Sequence, residues 1–228
     1  MARKARRDNN GDNKKHHKET FDKIAEKKRA RILKIATAEF ADKGFRGANI
    51  NVIAKKANIS IGSMYNYFST KENLFLTVAD EAYNHLERAL ASADLGAGNI
   101  FDRIESILRL AQRFSRENPK LIQLYQDITS EHLAHLSRKL SRKLEEISVQ
   151  FYRRQIQLAK EAGLVTPDLD DFVTTFCIDN IIMLMQFSYT SDYFMERLKA
   201  HVGDDALDDD ERVIKGMAKF IRRALEQR

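Results

Sequence analysis

The chain contains 228 residues, 43% of them hydrophobic, and its formal net charge is +6. Its length allows a sizeable hydrophobic core, and the low content of Pro (two) and Gly (nine) favours helices. A single Cys excludes a disulfide framework, and we expect this residue, Cys177, to be a small buried core residue. The longest apolar run, residues 181–185, is far shorter than the ~20 residues of a membrane span, so we expect no membrane partner. No apolar segment follows the basic N-terminus, as a secretory signal would require, and we expect a cytoplasmic protein.

Charge is distributed unevenly along the sequence. Residues 1–75 contain 18 Lys and Arg against 8 Asp and Glu, whereas residues 76–228 contain 21 against 25. The positive excess therefore lies in the first third of the chain. This is where the phosphates of a nucleic acid would be attracted, with an affinity that falls as salt is added.

Residues 1–25 are predicted to form a basic, flexible arm, because apolar side chains are almost absent from residues 1–18. Such an arm is either a solvated tail or a segment that follows phosphates or enters a minor groove when DNA is bound. His16 and His17 lack a neighbouring thiolate or carboxylate cluster, so we interpret them as tail histidines. Thr20 is the predicted N-cap of the first long helix, which Gly44 ends.

Two short helices with a tight turn between them are predicted within residues 49–68. Asn49 is a good N-cap for the first, Asn58 suits the left-handed position that ends it, and Ser60 is a good N-cap for the second. The second helix mixes polar and aromatic residues. A short apolar helix followed by a short polar one is typical of a helix-turn-helix, in which the second helix enters a DNA major groove.

The same region carries a set of residues at characteristic spacing: Ile32, Leu33, Ala36, Phe40, Lys43, Gly44, Phe45, Ile53, Ala54, Ala57, Ile59, Ser60, Gly62, Ser63, Tyr65, Asn66, Tyr67, Phe68, Lys71, Glu72 and Leu74. In these residues the chain resembles the DNA-binding domain of the TetR/AcrR family of transcriptional regulators, over about residues 26–86. The resemblance implies an all-α protein with an N-terminal helix-turn-helix three-helix head. It implies that residues 87–228 form a helical body that binds an effector and dimerises.

The predicted DNA-binding residues have distinct roles. The start of the second short helix offers free backbone N–H groups to a phosphate, Ile61 suits a thymine methyl group, and Asn66 suits adenine or a phosphate. The hydroxyls of Tyr65 and Tyr67 suit phosphates, although core packing is an equal alternative for Tyr67, and the resemblance implies that Lys71 anchors a phosphate. Phe40, Phe45 and Phe68 are interpreted as core residues. The complete set is Asn49, Ser60, Ile61, Gly62, Ser63, Tyr65, Asn66, Tyr67 and Lys71.

Beyond the head, apolar residues at helical spacing predict helices over residues 71–92, 100–117, 121–135, 136–162, 168–198 and 208–227, with a small-residue connector at 91–99. The helix at 168–198 is apolar nearly all round, which predicts burial on more than one side. Pairing with a second copy would cover the last two long helices. The resemblance implies a four-helix bundle across a two-fold axis, and hence a near-palindromic operator.

An apolar cavity for a small, lipophilic effector is predicted in the body. This prediction rests on the resemblance, because core packing is the better explanation of each residue taken singly. Its candidate residues are Phe114, Tyr125, Phe151, Tyr152, Gln155, Phe176 and Met183. We expect no metal and no cofactor: the group Glu131, His132 and His135 lacks a further ligand, and catalytic motifs are absent from the sequence.

These patterns predict a DNA-binding transcriptional regulator, most simply a homodimeric repressor released by a small molecule, and no enzyme. The alternative is a nucleoid-associated or architectural DNA-binding protein that uses the same head without an effector. A remote third possibility is a helical enzyme or carrier whose head is vestigial.

Overall fold

The computed structural model describes residues 15–92, 98–129 and 149–227, and the regular structure in these ranges is helical. The helices are α1 (Glu19–Asp22), α2 (Glu26–Gly47), α3 (Ile50–Lys56), α4 (Ile61–Tyr67), α5 (Lys71–Ser92), α6 (Ile100–Glu117), α7 (Pro119–Ile128), α8 (149–161), α9 (Asp171–Phe187), α10 (Asp192–Val202) and α11 (Asp210–Leu225). The predicted all-α fold is therefore confirmed. The expected helix at 136–162 is described only from residue 149 onwards, and that at 121–135 only as far as residue 129.

A single helix over residues 168–198 was a wrong prediction. The chain turns at Ser188, where α9 ends, and α10 leaves at an angle of 108°. The intervening Ser-Tyr-Thr-Ser sequence is rich in hydroxyl and β-branched side chains, which favour turns over helix interiors. The Phe187 and Phe194 rings, 5.5 Å apart, then hold the two helices together.

The head has a hydrophobic core formed by the two helices of the helix-turn-helix together with α2, which precedes them, and α5, which follows them. Phe40, Met64 and Phe75 are fully buried in it. Gly44, the predicted end of the first long helix, has a φ of 64° and interrupts α2, which continues to Gly47. A salt bridge of 2.9 Å joins Lys56 of α3 to Glu39 of α2, whose side chain is 7% exposed. Apolar packing thus fixes both short helices in the head, and α3 is also joined to α2 by an ion pair whose carboxylate is buried and whose Lys56 side chain is 58% exposed.

The N-terminal part of the head differs from the prediction. Phe21 is only 2% exposed, so the described part of the predicted 1–25 arm packs into the head. Thr20 lies inside α1 and does not cap the long helix, which begins at Glu26 after Ala25 without a side-chain cap. Phe21, an aromatic residue within a polar stretch, packs into the core, and hydrogen bonds from Lys18 and Thr20 to α4 also hold this segment.

Helix α7 joins the head to the body. Its residues Leu124 and Ile128 belong to the same hydrophobic cluster as the head residues, so packing crosses the predicted boundary at residue 86. Lys120 of α7 also forms a salt bridge of 3.1 Å with Asp42 of α2. Movements of α7 would therefore reach α2 directly.

The body core is formed by α6, α8, α9 and α11. Asn99 and Asp102 form a capping box at the start of α6, which begins and ends where the sequence predicted. At the far end, Val165 pairs with Glu226 in an isolated antiparallel bridge that clips the α8–α9 loop to the C-terminal segment. Arg116 of α6 forms a 2.7 Å salt bridge with Asp210 at the start of α11.

One face of α9 is exposed and apolar in the single chain, so the predicted burial on more than one side would require the second copy that the sequence analysis invoked. Phe172, Val173 and Phe176 are 61%, 60% and 68% exposed, and Leu184 continues the stripe at 41%. Cys177 lies on the same face and is exposed, so its assignment as a buried core residue was wrong. The helix is more apolar than one chain can cover.

Candidate nucleic-acid interface

The helix-turn-helix has the local geometry that its sequence predicts. The Asn49 side chain accepts a hydrogen bond from Asn51 N (2.8 Å), and Ser60 Oγ accepts one from Ser63 N (3.1 Å). Asn58 adopts a φ of 51° at the turn between the helices. Two caps and one left-handed residue therefore determine where α3 ends and where α4 begins.

One face of α4 is open to solvent. Ile61 is 39% and Tyr65 49% exposed, and Gly62 and Asn66 are exposed beside them. A Cβ added to Gly62 would meet nothing nearer than Ser60 Oγ, at 3.9 Å, so the surface above this backbone is free for close approach by another molecule. These side chains match the predicted mixture of a methyl-contacting, an amide and a phenolic group.

Asn51, Lys55 and Asn58 extend this surface, and the sequence analysis did not identify them. Together with Ser60 and Ile61 they line a shallow groove along the α3–α4 turn. The signal was available: Asn51 and Lys55 are polar residues four apart, so they lie on the same side of α3, and both are exposed. Lys55 adds a positive charge where a phosphate would pass.

Tyr67 was predicted to contact DNA, but the structure places it in the head core. It is 7% exposed, its ring lies 5.7 Å from that of Phe21, and its hydroxyl accepts a hydrogen bond from Lys28 Nζ at 3.4 Å. Phe68, at 1% exposed, is confirmed as a core residue. Tyr67 lies three residues after the buried Met64, on the same side of α4, where it meets Phe21.

Lys71 is engaged within the protein. Its ammonium group donates hydrogen bonds to the backbone carbonyls of Arg46 (3.0 Å) and Ala48 (3.1 Å) and lies 5.0 Å from the centre of the Phe45 ring. A lysine has three N–H donors, so one remains for a phosphate. Its predicted phosphate contact remains a prediction, and the structure adds a role in holding the end of α2.

The residues predicted to line one effector cavity in the body lie in different places in the structure. A cavity of about 120 Å³ is lined by Phe114, Tyr125 and Met183 of the predicted set. Its other described lining residues are Ala79, Ala82, Tyr83, Leu121, Ile122, Leu124, Ile128, Asp179, Ile182 and Gln186. The walls are therefore mainly apolar, with phenol, amide and carboxyl groups at a few places, as in most small-molecule sites.

The remaining predicted ligand residues lie elsewhere. Phe151, Tyr152 and Gln155 line a separate, much smaller cavity of about 10 Å³ beside α6, and Phe176 points to solvent on the exposed face of α9. Burial, together with the nearby Asp179 carboxylate, raises the pKa of the Tyr152 phenol, which stays neutral. The assignment of Phe176 to the cavity was wrong, because helical spacing identifies the apolar positions but not the side on which they pack.

Known proteins can now be compared with this arrangement. Residues 32–78 match the family model described as bacterial regulatory proteins, tetR family. The chain carries a TetR-family helix-turn-helix domain. The matched segment extends from the middle of α2, through α3 and α4, into α5, and so contains every residue of the predicted interface.

Proteins related to this chain are transcriptional regulators. The transcriptional repressor NicS of Pseudomonas putida is 26% identical over 149 residues, which cover 64% of this chain and 69% of NicS. A TetR-family regulator from Chloroflexus aurantiacus has a TM-score of 0.67 at 20% identity, covering 93% of this chain and 99% of that one. The structure of AibR in complex with isovaleryl coenzyme A and operator DNA has a TM-score of 0.59 at 19% identity, covering 86% and 97%. The solved structures show the fold, from the TetR-type head through the helical body.

Metal ligands and membrane-spanning helices were also considered in the sequence-based predictions. In residues 15–92, 98–129 and 149–227, no three His, Cys, Asp or Glu side chains form a group that would hold a metal ion, and the Glu131, His132 and His135 set lies outside these ranges. In the same ranges no single helix is long and apolar enough to cross a membrane. The α9–α10 pair meets those criteria only jointly and is sharply bent.

Proposed function

We propose that this TetR-family transcriptional regulator is a repressor that binds a near-palindromic operator as a homodimer and is released by a small lipophilic effector. One observation carries the proposal: α5 both completes the core of the DNA-binding head and lines the apolar cavity. We also infer that the protein acts in the cytoplasm, where its operator would be.

Helix α5 runs from the interface to the cavity. Near its start, Leu74 and Phe75 are fully buried against the helix-turn-helix. One to two turns further on, Ala79, Ala82 and Tyr83 form one wall of the cavity. A ligand that displaced this wall would tilt a helix that is packed against the head, and the head would move with it.

Dimerisation is supported by the apolar surface that one chain leaves uncovered. The exposed stripe of α9 contains Phe172 and Phe176, and α11 exposes Phe220, which is 65% exposed. A Cβ added to Gly216, one turn before Phe220, would meet nothing within 4 Å, so a partner helix has room to approach closely. A two-fold pairing through these faces would place two recognition helices on half-sites about one DNA turn apart.

The chemistry of the cavity supports a lipophilic effector. Its walls include Ile122, Leu124 and Ile182, and Tyr125 donates its hydroxyl hydrogen to Met183 Sδ at 3.6 Å. If the effector favours a conformation in which the two heads are wrongly spaced for the operator, it lowers the affinity of the protein for DNA. DNA then lowers the affinity of the protein for the effector by the same factor. The repressor NicS and the AibR complex with a ligand and DNA support the same interpretation.

The proposal is tested by footprinting the purified full-length protein on fragmented genomic DNA at two salt concentrations. We expect a few near-palindromic protected sites that persist at the higher salt concentration. Compounds related to the products of neighbouring genes are then screened for release of the strongest site. Diffuse protection that disappears with salt would contradict the proposal and favour the architectural alternative.

A cavity-filling variant separates the two halves of the proposal. Ala82→Leu adds apolar volume inside the cavity and leaves the interface residues unchanged. We expect this variant to protect the same sites as the wild type but to resist release by any compound that the screen identifies. A released Ala82→Leu variant would place the effector outside this cavity.

A further inference from the structure

The C-terminal end of α4 is completed by residues from outside the helix-turn-helix. A helix leaves its last four carbonyls without intrahelical partners, and in α4 these belong to residues 64–67. All four accept hydrogen bonds: Phe68 N donates to Met64 O (2.9 Å), Lys18 Nζ to Tyr65 O (2.9 Å), Thr20 Oγ1 to Asn66 O (2.5 Å) and Lys18 N to Tyr67 O (2.9 Å). Three of the four donors therefore come from two residues of the N-terminal segment.

These donors are held in place by the head itself. Phe21 is 2% exposed and its ring centre lies 4.7 Å from that of Phe68. Arg29 of α2 donates a hydrogen bond of 2.7 Å to the carbonyl of Asp22, which fixes the end of α1. We call Lys18, Thr20 and Phe21 the α4 brace.

A seven-residue helix needs such support. Isolated helices of this length are unstable in water, and a cation at the C-terminus interacts favourably with the helix dipole. Two of the braced carbonyls belong to Tyr65 and Asn66, whose side chains are exposed on the predicted DNA-binding face. The brace therefore acts on the backbone that aims these two side chains.

We infer that Thr20 and Lys18 are positioning residues for base recognition, acting through the last turn of α4 without contacting bases themselves. This inference rests on the proposed function, because it requires α4 to read DNA. The brace makes operator binding tighter without strengthening attachment to unrelated DNA. It also gives Lys18 a role that differs from the phosphate contact expected of a basic arm.

The test uses full-length Thr20→Val, which keeps the shape of the side chain and removes its hydroxyl without altering charge. The probes are a duplex that the wild-type protein selects from random-sequence DNA, and a shuffled duplex of equal length and composition. Losing one hydrogen bond predicts about 3- to 10-fold weaker binding to the selected duplex. Binding to the shuffled duplex should be unchanged, and Thr20→Ser should restore the wild-type affinity.

Thr37→Val is the matched control, since the Thr37 hydroxyl donates to Leu33 O within α2 at 2.8 Å. It should bind both duplexes as the wild type does, and circular dichroism should show that every variant retains its helices. Equal weakening on both duplexes, or no weakening in Thr20→Val, would overturn the positioning role.

Lys18→Met provides an independent measurement. A positioning role predicts weaker binding to the selected duplex with an unchanged dependence on salt. A phosphate contact predicts instead a slope of log K against log salt that is smaller by about 0.9, which would overturn the inference for Lys18. Failure of the proposed function would look different, because the wild-type protein would then select no preferred duplex at all.

Discussion

If two chains pair through α9 as proposed, Phe176→Ala is expected to convert the dimer to monomers without unfolding the chain. The Phe176 side chain is 68% exposed in a single chain and lies on the apolar stripe of α9. Exposed substitutions of this kind change the stability of the chain itself little, by about 0.5 kcal/mol or less. An effect on assembly would therefore be separable from an effect on folding.

The size of the effect follows from the exposed fraction. Burying a whole Phe side chain contributes about 1.5–3 kcal/mol, so covering the exposed two-thirds of Phe176 contributes about 1–2 kcal/mol. A two-fold dimer would cover the Phe176 ring of each chain, so the two rings together would contribute about 2–4 kcal/mol to the free energy of dimerisation. At 1.4 kcal/mol per factor of ten, the dimer Kd should rise about 30- to 1000-fold.

Sedimentation equilibrium over a range of protein concentrations measures this Kd directly. Tyr193→Ala on α10 is the matched control, because Tyr193 is also 68% exposed but lies off the α9 stripe. A Phe176→Ala variant whose Kd equals that of the wild type would refute the two-fold pairing through α9. So would a Tyr193→Ala variant that dissociates to the same extent.

Three other changes test separate parts of the molecule. Asn66→Ala should reduce discrimination at one base pair by about 1–3 kcal/mol if Asn66 reads adenine, whereas uniform weakening on all sequences, measured on a panel of duplexes, would assign it to a phosphate. Benzene should raise the wild-type unfolding temperature by occupying the apolar cavity and should have no such effect on Ala82→Leu; equal shifts would place the benzene elsewhere. Hydrogen bonds from Arg109, and to a smaller extent from Lys215, lower the pKa of Glu211 from 4.5 to about 2. Because the folded-state pKa is lowered, the stability that this carboxylate contributes is present above pH 4.5 and is lost as the pH falls towards 2. Glu211→Gln should therefore flatten the acid-unfolding curve in that window, and an identical curve would contradict the α6–α11 contact.

Local features of the chain could be predicted because they depend on neighbouring residues. The caps at Asn49 and Ser60, the left-handed Asn58 and the bounds of α5 and α6 all follow from short-range chemistry. The exposed positions of α4 were predictable for the same reason. A seven-residue helix with one buried face presents the others to solvent.

Long-range contacts could not be predicted in this way. Whether Tyr67 reads DNA or packs inside depends on Phe21, which is 46 residues away in the chain and whose ring lies against it. Thr20 looks like an N-cap in sequence, yet its hydroxyl is used by α4. Both outcomes required knowledge of where α1 docks.

The sequence by itself determined the helical fold, the helix-turn-helix and the apolar character of α9. Only the tertiary structure decided which residues of that helix face the cavity and which, like Phe176 and Cys177, face solvent. The physical reason is that helical periodicity shows which residues of a helix are apolar. Which of these residues are then buried depends on where helices that are distant in the sequence pack against that helix. In the single chain one apolar face of α9 is left exposed.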